Sequence, residues 1–162
     1  MSNLTFFKGL LSQERGIFVR VAEAVIEEGQ EYRPDPKSRC SRELIEHLIS
    51  HNLDLVELID DGIIHHRQSV PFESLEDGVR QLDESFGTLL ERLGTLDDEQ
   101  WMEPAKFMAG DYLVAEGPRQ QLAWMMFLDS IHHRGQLSTH LRAMGSKVPS
   151  MYGPSADEQM AH

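Results

Sequence analysis

Between Asp129 and His140 the chain reads Asp-Ser-Ile-His-His-Arg-Gly-Gln-Leu-Ser-Thr-His, a dense run of groups able to move a proton or hold a metal. On a helix advancing about 100° per residue, Leu122, Met126, Asp129, His133, Gln136, Leu137, His140 and Met144 share one face. Its leucines and methionines predict that this face is buried, with Asp129 and His133 about 6 Å apart along the axis. Buried ionisable groups are costly unless paired or bound to a metal. A second segment, Ser41 to Asp61, repeats the anomaly: the stripe Leu44, Leu48, Leu55, Leu58 is interrupted by His47 and His51.

One divalent ion accounts for both interruptions. Imidazole nitrogens and carboxylate oxygens bind such ions at about 2.0–2.2 Å, and reactive sites use three protein ligands with a fourth position open. His47, Asp129 and His133 form such a set. Two imidazoles and a carboxylate suit zinc, nickel, iron or manganese, and the open position can activate water or take a thiolate. The same spacing also fits Asp129 simply hydrogen-bonding a histidine inside the core. His51 is a further candidate ligand or supporting group. Coordination requires neutral imidazole, so protons are expected to compete with metal near pH 6.5.

Around this set the sequence predicts lesser roles. His140, two turns beyond His133, is expected to be a satisfied core histidine, and His132 lies at the edge of the stripe. His65 and His66, just after Gly62, are expected to be solvated, and His162 is terminal. Arg134 is expected to pair with a carboxylate of a neighbouring helix, and Gln136 to orient a ligand. Gly135 costs about 1 kcal/mol of helix propensity, which predicts a close approach there. Cys40, at a helix start, is placed for a lowered thiol pKa, although no partner for a catalytic thiol is evident. Trp101, Trp124, Met102 and Met108 are expected to pack, with Met125 and Met126 beside the site.

Four periodic segments position these residues, each meeting a glycine. They are Leu4 to Glu28 before Gly29, Ser41 to Gly62, Ser74 to Gly94, and Gly117-Pro118 to Gly145, the last opened by proline. The expected architecture is all-α: a four-helix bundle, one domain over residues 1–162, with a long connection between the third and fourth helices. That connection, Thr95 to Glu116, carries Trp101, Phe107 and Tyr112, and short strands are conceivable over Lys106 to Val114.

A net charge of −12 from 27 acidic and 15 basic residues opposes an electrostatic grip on nucleic acid or anionic membrane. One cysteine excludes an internal disulfide and favours a reducing compartment. Neither a signal peptide nor a membrane span is apparent. The expected location is the cytoplasm.

Arg-Glu-Leu-Ile-Glu-His47 in the second helix, His-His-Arg-Gly-Gln-Leu-Ser-Thr-His-Leu-Arg-Ala-Met-Gly145 in the fourth, and Val-Pro-Ser-Met-Tyr-Gly153 resemble the DinB-like superfamily of metal-binding four-helix bundles. The resemblance implies one histidine ligand on the second helix and two, four apart, on the fourth. Those positions are His47, 129 and His133, and Asp129 departs from the usual histidine. It also implies a homodimer and a small-molecule substrate or thiol, since relatives include bacillithiol transferases and mycothiol-dependent maleylpyruvate isomerase. The expected function is therefore a metal-binding protein acting as a thiol transferase. A metal-dependent hydrolase and a non-catalytic metal- or ligand-binding dimer are the alternatives.

Overall fold

The computed structural model describes residues 1–159; His162 lies outside the described residues. The four periodic segments become α1 (Asn3–Glu23), α2 (Ser41–Asp61), α3 (Leu75–Thr95) and α5 (Arg119–Ala143), with a four-residue α4 (Asp98–Trp101) before the last. α2 and α1 each pack against both α3 and α5. The chain thus crosses from α1 to α2 through the long 24–40 connection. α2 is the most buried helix, enclosing His47, Ser50, His51, Asn52 and Asp54 as well as its leucines.

The all-α expectation is corrected. A three-stranded sheet in the order β1-β2-β3 joins the five helices. β1 (Ile63–His65) follows α2 directly, while β2 (Pro104–Ala109) and β3 (Tyr112–Pro118) lie in the connection between α4 and α5. β1 runs parallel to β2 with Ile64 opposite Phe107, and β2 pairs antiparallel with β3. Gly110, at φ +57°, makes the hairpin turn. The strands expected near Lys106 to Val114 are therefore present, and the long connection is ordered rather than loose.

The boundaries follow local chemistry. α1 stops short of Gly29: a 3-10 turn spans Glu27–Gly29, and Val25 turns into the core. Gly29 serves a close approach instead, because a Cβ there would lie 2.5 Å from the Met144 sulfur. Gly62, at φ +69°, does end α2 as expected. The Ser74 hydroxyl caps α3 by accepting from the Asp77 N–H at 3.2 Å, but Gly94 lies within that helix. Cys40, not Ser41, caps α2, and its N–H reaches the Glu43 carboxylate at 2.7 Å.

Phe7, Phe18, Phe86, Phe127 and Trp101 are fully buried, each contributing about 1.5–3 kcal/mol by leaving water. Asn3 fastens the α1 end of this cluster: its Oδ1 accepts from Trp101 Nε1 at 2.9 Å and Trp124 Nε1 at 3.2 Å. No helix among the described residues is long and apolar enough to cross a membrane.

Candidate metal centre

α2 and α5 run antiparallel, which sets their interrupted stripes face to face. Ser41 Oγ meets His140 Nδ1 at 3.2 Å near one end of the contact, and His51 Nδ1 meets Ser130 Oγ at 3.0 Å near the other. His47 and His133 lie between, with ring centroids 4.6 Å apart; His47 and His51 are 4.2 Å apart. One ligand atom from each of His47, His51, Asp129 and His133 lies within 4.8 Å of the others. Two donors on opposite sides of an ion at about 2.1 Å would be about 4.2 Å apart, so small side-chain movements suffice to enclose one.

Hydrogen bonds at the rear of the rings fix their tautomers. His47 Nδ1 donates to the Gln68 carbonyl at 2.9 Å. The Ser130 hydroxyl gives its proton to the Met126 carbonyl at 3.0 Å, and so accepts from His51 Nδ1. Gln136 Oε1 accepts from His133 Nδ1 at 2.8 Å, the orienting role expected of Gln136. Each Nδ1 therefore carries the proton, leaving an Nε2 lone pair for the centre. His51 and His133 Nε2 stand 3.7 and 3.4 Å from Asp129 Oδ2, longer than the about 2.7–2.9 Å of a charge-assisted hydrogen bond. Three lone pairs and a carboxylate converge without a proton donor among them, an arrangement that a cation satisfies.

The electrostatics agree. Burial, followed by the charge of Arg39, pushes the His47 pKa down to about 4. Burial, followed by the neighbouring His47 and His133, takes His51 to about 2. Both rings are neutral at pH 7, as coordination requires. Asp129 differs, because its side chain is 50 % exposed at the mouth of the cluster.

The mouth adjoins a cavity of about 490 Å³, whose wall includes Phe107, Met125, Met126 and Leu128 beside His51 and Asp129. Met125 and Met126 thus lie where expected. His66, expected to be solvated, also lines it: its Nδ1 is 2.8 Å from Asp54 Oδ2, and Asp54 is fully buried. Arg67 holds the other Asp54 oxygen at 2.6 Å. Burial raises the Asp54 pKa against these two hydrogen-bonding partners. Just beyond the end of β1, the His66 backbone N–H donates to Met108 O of β2 at 2.9 Å, and this pairing carries His66 inward. Of His65 and His66 only His65 is exposed, paired with Glu57 at 2.6 Å.

Other expectations divide. His140 is a buried, hydrogen-bonded histidine, and His132 is exposed at the edge of the cavity. Arg134 pairs with Glu14 of α1, both buried, beneath Tyr152 and over the Phe18 ring. Gly135 admits no close neighbour: a Cβ there would meet nothing within 4 Å. Cys40 is buried, and burial raises its thiol pKa rather than lowering it.

Fold and cluster together define a helical protein with a histidine-rich candidate metal centre between two of its helices. The DinB family model matches residues 7–161, and the chain belongs to the DinB family. Two solved DinB-like proteins share the fold. The Bacillus subtilis protein is 19% identical at TM-score 0.73, covering 96% of this chain and 99% of its own. The Bacillus cereus protein is 16% identical at TM-score 0.74, covering 90% and 95%. Comparison with functionally curated proteins gives no significant match.

Proposed function

We propose that the protein binds a divalent ion through His47, Asp129 and His133, with His51 as a fourth donor, and transfers a low-molecular-weight thiol to an electrophilic small molecule. The observation that carries this reading is the convergence of three imidazole lone pairs and a half-exposed carboxylate at the mouth of a largely apolar cavity. Four protein donors saturate tetrahedral zinc but leave two positions on six-coordinate iron, nickel or manganese. Were zinc bound, the half-exposed Asp129 would be the donor with most freedom to give way. A bound ion supplies Lewis acidity, favouring thiolate over thiol at neutral pH.

The protein's own groups do the rest. Phe107, Met125 and Met126 exclude water and hold an apolar electrophile over the cluster. His66 Nε2 makes no hydrogen bond among the described residues, while its Nδ1–H is oriented by Asp54. In this reading that atom receives the proton leaving the thiol. Sulfur then forms its bond to carbon as the leaving group departs with the bonding pair. The single buried cysteine suits a cytoplasmic setting.

The test is metal-dependent turnover of an activated aryl halide with and without added thiol. Halide release requiring both metal and thiol is expected. Turnover of an ester with metal and water alone supports the hydrolase instead. Protein that takes up no metal at micromolar concentrations refutes both.

A further inference from the structure

The cavity at the mouth of the cluster, about 490 Å³, falls within the range of about 300–1,000 Å³ that encloses small organic ligands. Besides the histidines and Asp129, its wall is Phe107, Met125, Met126 and Leu128. Met125 and Leu128 are exposed, so part of this apolar face is open to a ligand. Among the described residues no lysine or arginine lines it. Arg67, beside His66 in the chain, is held by Asp54 at 2.6 Å and Glu57 at 3.3 Å. Lys106, beside Phe107, is turned to the opposite face of β2 by the alternation of a strand.

Two rings give the wall a shape. Phe107 and His66 meet at 81° with centroids 5.5 Å apart, forming a corner. A planar ring entering that corner stacks offset on one of them and meets the other edge to face, the two arrangements that aromatic pairs favour. The thioethers of Met125 and Met126 add sulfur–aromatic contacts that a saturated ring does not make. Charge is selected in the opposite sense. Away from the exposed rim at His132, a carboxylate on the ring would face Phe107 and the methionines with no cation to replace its water. The net charge of −12 opposes its approach as well.

We infer that the cavity takes an uncharged aromatic substrate of one or two fused rings, seated in the Phe107–His66 corner against Met125 and Met126, and that it rejects a substrate whose ring carries a carboxylate. The inference rests on the reading above that this cavity holds the electrophile, and it names that electrophile's class. Phe107 is the specificity-determining residue, because it supplies the larger ring of the corner.

Metal-free protein tests it, by titration with 2-naphthalenemethanol, its saturated counterpart decahydro-2-naphthalenemethanol, and 2-naphthoate. Binding is read from the Met125 methyl resonance, assigned through M125L. The aromatic alcohol should bind about tenfold more tightly than the saturated one, the worth of one ring–ring and one sulfur–ring contact. It should also bind at least about tenfold more tightly than 2-naphthoate. In F107L the preference for the aromatic alcohol over the saturated one should fall toward one, and F107Y should keep it. Equal affinity for the two alcohols in the unaltered protein overturns the inference, as does naphthoate binding as tightly, or an aromatic alcohol that leaves the Met125 resonance unmoved. If F107L does not fold, the three-ligand comparison in the unaltered protein decides alone. Metal uptake and thiol-dependent turnover are measured separately, so their failure strikes the reaction and not the ligand class.

Discussion

Acidification separates this centre from a set of ordinary surface histidines. At about pH 5.5 a histidine of pKa near 6.5 is about nine-tenths protonated, costing a bound metal about tenfold in affinity per ligand, or about 1.4 kcal/mol. His47, at about 4, and His51, at about 2, remain neutral there and add almost nothing to such a loss. The competition expected from sequence near pH 6.5 is thus moved well below it for these two rings. Stability behaves differently. Folded pKa values below the unfolded 6.5 mean that the unfolded chain takes up more protons, so stability is full above pH 6.5 and declines as pH falls toward 4. His47 alone accounts for about 1 kcal/mol lost by pH 5.5 and about 3 by pH 4. Metal-free and metal-loaded protein should therefore both lose stability between about pH 7.5 and 5.5, while the metal contribution falls by less than a hundredfold in affinity. Urea unfolding with and without metal, beside calorimetric titration at each pH, measures both. A hundredfold or greater loss of metal affinity over that interval, or curves that converge, would refute the reasoning.

Asp129→Ala should lower metal affinity by about 10–100-fold, and Asp129→His should restore it with a shift toward nickel or copper; unchanged metal content in the alanine variant removes Asp129 from the centre. Arg134→Ala strands the buried Glu14 carboxylate and should cost about 3–5 kcal/mol in urea unfolding, an argument that a loss under about 1 kcal/mol would sink. Native Cys40, buried with a raised pKa, should react with a disulfide reagent only as fast as the protein opens, and immediate modification would contradict that. A homodimer is expected in sedimentation at micromolar concentration; a species of single-chain mass rules it out.

The helices were legible because their signals are local. Leucine spacing at 3.6 residues and the stop at Gly62 need no knowledge of the rest of the chain, and the His47 and His133 stripes carried the site with them. His51 shared the His47 face in sequence, but its place at the centre depends on Ser130 receiving its Nδ1 proton across the helix interface, which no spacing reveals. The sheet was harder. β1 has three residues and pairs with a strand some forty positions later, so neither its period nor its length stands out. His66 was misjudged for that reason, its inward course being set by pairing with β2. At Gly135 the inference failed because a helix glycine need not face a neighbour.

The division of labour between helices and hairpin has an evolutionary consequence. All four candidate donors belong to α2 and α5, whereas Phe107 enters the cavity wall from a hairpin that closes on itself through Gly110. Loops and hairpins tolerate insertion and replacement far better than packed helices. Descendants of this chain can therefore exchange the wall that selects an electrophile while inheriting the ion-holding helices unchanged, so that chemistry and selectivity drift on separate segments.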